Sequence, residues 1–271
     1  MDFRPGIYDG LPMDEYHRMA ALSSSGIKKL LRSPAHYLVE RTQSRAPTES
    51  MRIGTAVHTL LLEPDRAGEI VVMPEFNRRT KDGKAEAEAW LARNADRQAF
   101  DAETFERIHR AAEAARAHPA ASELLSDGIA ERSILWRDAK TGAQCRARYD
   151  WHRSDGGIVD VKTAQDASPE GFRRAIGAFQ YHVSAAWYFL GAEHVLNATP
   201  AFWAFVVVET EPPFGVAAYV LDADSIRAGM SLCHRAVELF ARCTESAAWP
   251  SYPATVEPIT APGWALAQGE F

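Results

Sequence analysis

Two short segments that read as neighbouring strands constrain the fold of this chain more than any other part of it. They are CRARYD, residues 145–150, and IVDVKT, residues 158–163, and a turn containing two glycines joins them. Strand alternation places Asp160 and Lys162 on one face of the second segment and its two valines on the other. A valine-rich strand of this kind is expected to be buried, so a carboxylate and an ammonium side by side on it need a chemical reason.

A divalent metal ion would supply that reason. Asp150 ends the first segment and brings a second carboxylate towards Asp160, and two converging carboxylates are costly to desolvate unless a cation lies between them. Their oxygens, together with the backbone carbonyl of Val161, suit a hard ion such as Mg²⁺. Lys162 would then orient or deprotonate a water molecule and stabilise charge on a phosphoryl oxygen. The alternative is a surface hairpin with a solvated Asp and Lys, because a bare D-x-K pattern is common.

The remaining pattern predicts a mixed α/β fold. Helices are predicted near residues 24–33, 51–63, 85–94, 101–126, 169–191 and 223–243. Strands are predicted at 69–76, 132–138, 143–151, 157–163, 201–210 and 216–222, with turn-forming residues between most of them. This order indicates a small central mixed sheet flanked by helices and preceded by a mostly helical N-terminal region.

Composition excludes several classes of protein. The 46% apolar and 24% charged content of the 271 residues is that of an ordinary soluble globular protein. No apolar run approaches the ~20 residues of a membrane span and no export signal is visible, so a cytoplasmic protein with no membrane partner is predicted. Three scattered cysteines, Cys145, Cys233 and Cys243, support neither a disulfide framework nor a zinc ribbon. At a net charge of −6, a nucleic-acid partner would require a local basic lining.

The Asp on one strand and the Asp-x-Lys on the next resemble the arrangement of PD-(D/E)xK nucleases. The surrounding sequence resembles the RecE (exonuclease VIII) branch, which belongs to phage and prophage recombination systems. The resembling segments are GIYDGLPMDEYH, RIGTAVHTLLLEP, PEFNRRTKDGK, SILWRDAKTGAQCRARYD, IVDVKT and YHVSAAWY, with WP at 249–250 fitting the tail. The resemblance implies a restriction-endonuclease-like α/β core within one domain. Its parts would be a mostly helical region over 1–130, the catalytic sheet and flanking helices over 131–245, and an irregular tail over 246–271.

The resemblance also implies roles for individual residues. Asp150 and Asp160 correspond to the metal-binding carboxylates, and Lys162 corresponds to the lysine that positions the attacking water. His58 in GTAVH matches a histidine that helps to hold a metal in this branch and in RecB-type nucleases. Without that context, a lone helical His would be expected to be a core or surface residue. Glu131, at the start of the first strand, could approach the metal, but a solvated strand end is the favoured interpretation.

One position departs from the family pattern. Relatives carry Gln-x-x-x-Tyr on the helix after the D-x-K strand, with both side chains facing the site, whereas this sequence has Ser184 and Tyr188 in that register. Gln180 lies one turn earlier, so Gln180, Ser184 and Tyr188 are predicted to form an i, i+4, i+8 stripe. A serine is too short to span the same distance, so Gln180 is the candidate substitute. Tyr188 is predicted either to face the site or to pack.

Eight basic residues are candidate contacts to DNA phosphates. They are Arg78, Arg79, Lys81, Lys84, Arg146, Arg148, Arg173 and Arg174. The first four form the basic segment NRRTKDGK, for which a solvated loop before a helix is the alternative. The next two are predicted to lie on the catalytic face, where they could grip phosphates beside the scissile one. The last two open the helix after the catalytic strand.

The resemblance therefore implies a Mg²⁺-dependent exonuclease, with Mn²⁺ as a second usable ion. It would degrade the 5′ strand of linear double-stranded DNA and leave 3′ overhangs for recombination. A homotetrameric ring that threads DNA and a single-strand annealing protein of RecT type are the implied assembly and partner. Two alternatives stay open. One is a structure-specific or restriction-like endonuclease on the same fold, and the other is a non-catalytic DNA-binding module.

Overall fold

The computed structural model describes residues 3–43 and 46–266 of the chain. The strands are β1 (Gly6–Tyr8), β2 (Ile70–Val72), β3 (Gln98–Phe100), β4 (Gly128–Arg137), β5 (Gln144–Arg153), β6 (Ile158–Ala164), β7 (Trp203–Glu209) and β8 (Val216–Val220). The α-helices are α1 (Met13–Arg18), α2 (Ser24–Arg32), α3 (Pro34–Thr42), α4 (Glu49–Leu62), α5 (Lys81–Arg93), α6 (Ala102–Ala117), α7 (Pro119–Leu124), α8 (Pro169–Ala178), α9 (Tyr181–Leu196), α10 (Ala223–Ser246) and α11 (Gly263–Leu266). No helix in these described ranges has the length and apolar character needed to cross a bilayer.

A six-stranded mixed sheet forms the centre of the fold. Its strands lie in the order β1-β4-β5-β6-β7-β8. β6 and β7 are parallel, and the other neighbouring strands are antiparallel. β2 and β3 form a separate parallel pair. A central mixed sheet flanked by helices is the predicted fold class, which is thereby confirmed.

Helices cover both faces of the central sheet. On one face, side chains of α2, α9 and α10 pack against Tyr149 and Ile158. On the other face, side chains of α4 and α6 pack against Val159 and Val161. Because β6 is covered on both faces, its Asp160 is only 4% exposed. The strand that carries the predicted chemistry is therefore inside the protein and is not a solvated hairpin.

Prolines explain two differences from the predicted helices. Pro34 was expected only to end a helix, but it also begins α3, and the side chain of Ser33 accepts the N–H of His36 as the cap of that new helix. Pro119 likewise splits the stretch predicted as one helix over 101–126 into α6 and α7. A proline is tolerated in the first turn of a helix because an N–H at that position would have no acceptor within the helix.

The helix predicted over 169–191 is also two helices. α8 ends at Ala178 and α9 begins at Tyr181, and between them Gln180 has the left-handed backbone conformation, with φ 51° and ψ 47°. β1 and β3, which have three residues each, were not predicted. The tail predicted to be irregular contains one helical turn, α11, and residues 267–271 of that tail lie outside the described part of the chain.

Candidate metal centre and active site

The candidate site lies where β5 and β6 separate. The two strands pair only through Trp151 with Val159 and His152 with Ile158, and they diverge at Asp150 and the residues that precede it on β5. One oxygen of Asp150, Oδ2, accepts the backbone N–H of Val161 at 2.9 Å. A backbone N–H inside a protein needs a partner, and here a carboxylate provides the acceptor that the departing strand does not.

The space next to the diverging part of β5 is filled by the segment before α2. Leu22 pairs with Cys145 in a parallel bridge. The N–H of Leu22 donates to the carbonyl of Gln144, and the N–H of Arg146 donates to the carbonyl of Leu22, both at 2.8 Å. This arrangement brings the first turns of α2 against the site, so the N-terminal segment forms one of its walls.

Glu131 was predicted to be a solvated strand end, and this prediction is wrong because its side chain is largely buried. It is the residue of β4 that faces Asp150, but the ladder between β4 and β5 is interrupted at this pair, and Glu131 has a left-handed backbone with φ 51°. That conformation costs a residue with a Cβ ~1–2 kcal/mol. The side chain of Glu131 is only 19% exposed. Burial and the charge of Asp150 raise the pKa of Glu131 to about 8.

Three side chains from three elements converge at this point. His58 of α4, Glu131 and Asp150 each offer one ligand atom, and these atoms all lie within 4.8 Å of one another. Nδ1 of His58 is 3.6 Å from Oδ2 of Asp150. Burial lowers the pKa of His58 although Asp150 opposes the shift, so the imidazole is neutral and has a lone pair to give. Two ligands on opposite sides of Mg²⁺ lie about 4.2 Å apart, so the spacing of this cluster fits one small divalent ion.

Asp160 and Lys162 form a buried ion pair beside the cluster. Nζ of Lys162 also donates to the carbonyl of Val161 at 3.2 Å. Burial and the charge of Asp150 raise the pKa of Asp160 to about 7, against the opposing effect of Lys162. Burial alone would lower the pKa of Lys162, but Asp160 and Asp150 hold it above its usual value. Lys162 is therefore a protonated donor, which makes the predicted alternative of a deprotonating base unfavourable.

The observed cluster and the predicted ligand set overlap but are not the same. Of the predicted ligands, His58 and Asp150 lie in the cluster, whereas Asp160 and the carbonyl of Val161 contact Lys162. Oδ2 of Asp160 is buried and accepts no well-aligned hydrogen bond from the described residues, despite its ionic contact with Lys162. A buried carboxylate oxygen of this kind also suits a cation. Metal binding by Asp160 and Val161 stays a prediction.

Lys28 is a second lysine at the site, and it was not predicted. Its Nζ lies 5.5 Å from the centre of the Tyr181 ring, and Nζ of Lys162 lies 5.4 Å from the same ring. Burial and the charge of Lys162 lower the pKa of Lys28 to about 8, whereas Asp160 opposes the shift. In the sequence, GIKKLL is an ordinary amphipathic helix in which a lysine is expected to be solvated, so the pattern gave no signal.

Tyr188 packs among aromatic rings, and a catalytic role for it stays a prediction. Its ring lies 5.5 Å from that of Tyr149 and 5.3 Å from that of Trp203, measured between ring centroids. Burial, reinforced by the nearby carboxylates of Asp160 and Asp150, raises the pKa of Tyr188 well above its usual value. The phenol therefore stays protonated.

The predicted stripe of Gln180, Ser184 and Tyr188 does not form. Gln180 precedes α9 and its left-handed backbone takes it out of helical register. Ser184 is 9% exposed and accepts a hydrogen bond from the hydroxyl of Ser24, at 3.0 Å. At the position where the resemblance to RecE leads one to expect Gln, this chain thus has a hydrogen bond that links α2 and α9. A catalytic role for Gln180 stays a prediction.

Strand alternation predicted that Arg146 and Arg148 lie on the catalytic face, where they could contact phosphates. In the structure both side chains are buried. They are 9% and 7% exposed, and both guanidinium groups lie 4.6 Å from the centre of the Tyr16 ring. Nε of Arg148 donates to the hydroxyl of Ser133 at 2.7 Å, and its Nη2 donates to the carbonyl of Leu11. The burial of Arg148 follows from these contacts, which hold the N-terminal segment against the sheet.

The other six basic residues are exposed. Arg78, Arg79, Lys81 and Lys84 occupy the turn before α5 and its first residues, and none of them forms an ion pair within the described ranges. Arg173 and Arg174 lie on α8 and pair with Glu170, and Arg174 also approaches Asp166. Contact between these residues and DNA stays a prediction. The four residues before and at the start of α5 are the better candidates, because no carboxylate in the described ranges pairs with them.

Comparisons with known proteins agree with this architecture. Residues 23–262 match the family model described as a PDDEXK-like domain of unknown function (DUF3799). No curated protein is similar enough in sequence to count as a match. A solved structure described as a "Putative exonuclease" from Eubacterium rectale is 9% identical, with a TM-score of 0.64, and the alignment covers 97% of this chain and 100% of that one. The crystal structure of SSO0001 is 12% identical, covers 84% of this chain and 87% of its own, and has a TM-score of only 0.30. The first likeness shows a shared fold.

Proposed function

Because the chain belongs to the family of PDDEXK-like domains matched over residues 23–262, we propose that it is a metal-dependent nuclease that hydrolyses DNA from the ends of linear duplexes. The observation that carries the proposal is the convergence of His58, Glu131 and Asp150 within 4.8 Å, beside a buried Asp160–Lys162 pair. Degradation of the 5′ strand, leaving a 3′ overhang, is the finer proposal. It is supported by the RecE-like motifs, and a solved structure with the same fold is described as a "Putative exonuclease".

The residues divide the work of hydrolysis between them. His58, Glu131 and Asp150 would hold a divalent ion, which when bound polarises the phosphate and lowers the pKa of a water molecule. Asp160 keeps Lys162 protonated and fixes its position at the carbonyl of Val161. A protonated Lys162 can donate to a phosphate oxygen and stabilise the negative charge that grows there. Lys28 adds a second positive charge, because its Nζ lies 5.5 Å from the centre of the Tyr181 ring that Lys162 also approaches.

Digestion of linear and closed circular DNA tests the proposed activity. With Mg²⁺ or Mn²⁺, linear duplexes labelled at either end should be degraded and should lose the 5′-terminal label first, whereas a closed plasmid should stay intact. EDTA should stop the reaction. A nicked plasmid would favour the endonuclease alternative. Binding of the duplex without any digestion, in the presence of either ion, would favour the non-catalytic module.

Replacing Glu131 by Gln is expected to weaken metal binding at least about tenfold and to raise the thermal stability of EDTA-treated protein. The carboxylate is a candidate ligand and also a desolvated charge beside Asp150, and its raised pKa shows that the site disfavours the charged form. Calorimetric titration with Mn²⁺ and thermal melting in EDTA measure the two effects. Glu123, which is exposed, is the matched control. Its replacement by Gln should change neither quantity.

The Glu131→Gln variant should also change how stability in EDTA and metal affinity vary with pH. The pKa of Glu131 is about 8 in the folded protein against 4.5 ordinarily, so between these values the folded state binds more protons than the unfolded state. In EDTA, the contribution of Glu131 to the stability of the unmodified protein should therefore fall as the pH rises from about 5 to 8. Its metal affinity should rise over the same range, because the ion displaces a proton. Equal slopes in the variant and the unmodified protein would contradict this assignment.

A further inference from the structure

A surface pocket of about 350 Å³ lies between the segment around α1, the N-terminal half of α2, α3 and the start of β5. It is distinct from the candidate metal cluster, none of whose three residues lines it. Three basic residues from three elements line the pocket: Arg146 of β5, Lys29 of α2 and Arg41 of α3. The pocket is thus built around positive charge in a protein whose net charge is −6.

Arg146 is the buried group that this pocket leaves without a partner. It is only 9% exposed, and its buried Nε and Nη1 have no hydrogen-bond acceptor among the described residues. Its neighbour Arg148 stacks on the same Tyr16 ring but has its donors engaged by Ser133 and Leu11. Unsatisfied buried donors of a charged group are costly, so a bound acceptor is the expected reason for keeping them.

The remaining charges around the pocket also favour an anion. Lys29 forms an ion pair with Glu40 at 2.7 Å, and Glu40 is the one carboxylate among the lining residues. Arg18 lines the pocket and pairs with Asp14, whereas Arg41 has no ion-pair partner in the described part of the chain. Ser25 and Gly26, in the first turn of α2, also line it. The N-terminus of a helix carries partial positive charge and attracts anions.

We propose that this pocket is a phosphate-binding subsite for the nucleic-acid strand, an inference that rests on the proposed nuclease function. A guanidinium presents paired donors that match two oxygens of a phosphate, and the lysine and the helix terminus serve the others. Arg146 lies four residues before Asp150 on β5, which is roughly 13 Å along a strand. A strand with one phosphodiester at the metal cluster can therefore place another phosphate in the pocket. The phosphate can be a terminal monoester or an internal diester.

Titration with inorganic phosphate tests the pocket without any need for hydrolysis. EDTA-treated protein should bind phosphate, and Arg41→Gln should weaken that binding about tenfold, the loss expected for one charge-assisted hydrogen bond. Arg32→Gln is the matched control, because it removes an exposed arginine of the neighbouring helix that does not line the pocket. It should change phosphate binding less than about twofold. Arg146→Lys, which keeps the buried charge but loses the fork, should weaken binding by a similar factor to Arg41→Gln.

Duplexes with and without a 5′-phosphate separate the two sources of the phosphate. If the occupant is the terminal group, Arg41→Gln will weaken binding only of the phosphorylated duplex; if it is an internal diester, both duplexes will lose affinity equally. The pocket assignment is overturned if phosphate does not bind, or if Arg32→Gln weakens binding as much as Arg41→Gln. Phosphate binding in a protein that digests no DNA would refute the nuclease proposal while the pocket stands. Normal digestion without phosphate binding would refute the pocket while the nuclease proposal stands.

Discussion

Asp150→Asn should lower the rate of duplex digestion at least about a thousandfold and leave the fold intact. Asp150 contributes a ligand oxygen to the cluster with His58 and Glu131, and a metal ion supplies several kcal/mol to the transition state, where each 1.4 kcal/mol is about a factor of ten. The amide oxygen of Asn can still accept the N–H of Val161 that Oδ2 now accepts. The chemistry and the support of β6 are thereby separated in one variant.

Three measurements check this expectation. Digestion of a linear duplex gives the rate, calorimetric titration with Mn²⁺ gives the metal affinity, and a thermal melt should show a midpoint close to that of the unmodified protein. Asp155→Asn, in the exposed turn between β5 and β6, is the matched control and should digest DNA normally. Asp150→Ala should melt earlier, because the buried N–H of Val161 then loses its acceptor at a cost of about 1–3 kcal/mol. Digestion by Asp150→Asn at an undiminished rate would refute the metal cluster.

Lys162→Met should reduce digestion by at least about a hundredfold, the loss expected for one donor that stabilises the transition state. It should also destabilise the protein, more at pH 8 than at pH 6. Removing one partner of a buried pair costs about 3–5 kcal/mol when the other charge is left uncompensated. Asp160 can escape part of that cost by binding a proton, since its pKa is already raised to about 7. Loss of Lys162 removes an influence that lowers this pKa, so the carboxyl will be protonated further up the pH scale.

The sign of the pH effect follows from linkage. The folded-state pKa of Asp160 lies above its ordinary 3.8, so its contribution to stability falls as the pH rises through the folded value. Chemical denaturation at pH 6 and pH 8 measures this difference. The double variant Lys162→Met, Asp160→Asn should recover stability and lose the part of the pH dependence that Asp160 contributes, but it should remain inactive. Lys140→Met, which breaks an exposed pair with Glu238, is the control and should cost under about 1 kcal/mol. A pH-independent loss would contradict the role of the pair.

The fold was predictable because its strongest signals are local. Alternation identified β4, β5 and β6, and the capping serine at the start of α2 and the valines of β6 behave as their residue types require. The break at Gln180 was not predictable in the same way. A left-handed backbone is uncommon for a residue with a Cβ such as glutamine, so the residue type gives no signal for this break.

The site was predictable only in part, because its remaining members depend on tertiary contacts. Asp150, Asp160 and Lys162 share one strand pair, so the sequence brings them near one another. The position of Glu131 could also have been predicted from the sequence. β4 and β5 form an antiparallel hairpin, and Glu131 and Asp150 are the same number of residues from its turn, so they lie opposite each other. Lys28 approaches only because α2 lies on α9, and no spacing in the sequence encodes that contact.

The bridge between Leu22 and β5 has a consequence for how the protein can be divided. The family match begins at residue 23, one position after this bridge. A fragment trimmed to 23–262 would discard Leu22, and with it the backbone partners of Gln144 and Arg146. It would also lack Leu11, whose carbonyl accepts a hydrogen bond from Arg148. Such a fragment would expose part of the edge of β5 near the candidate metal cluster, and unpaired strand edges recruit other chains and promote aggregation.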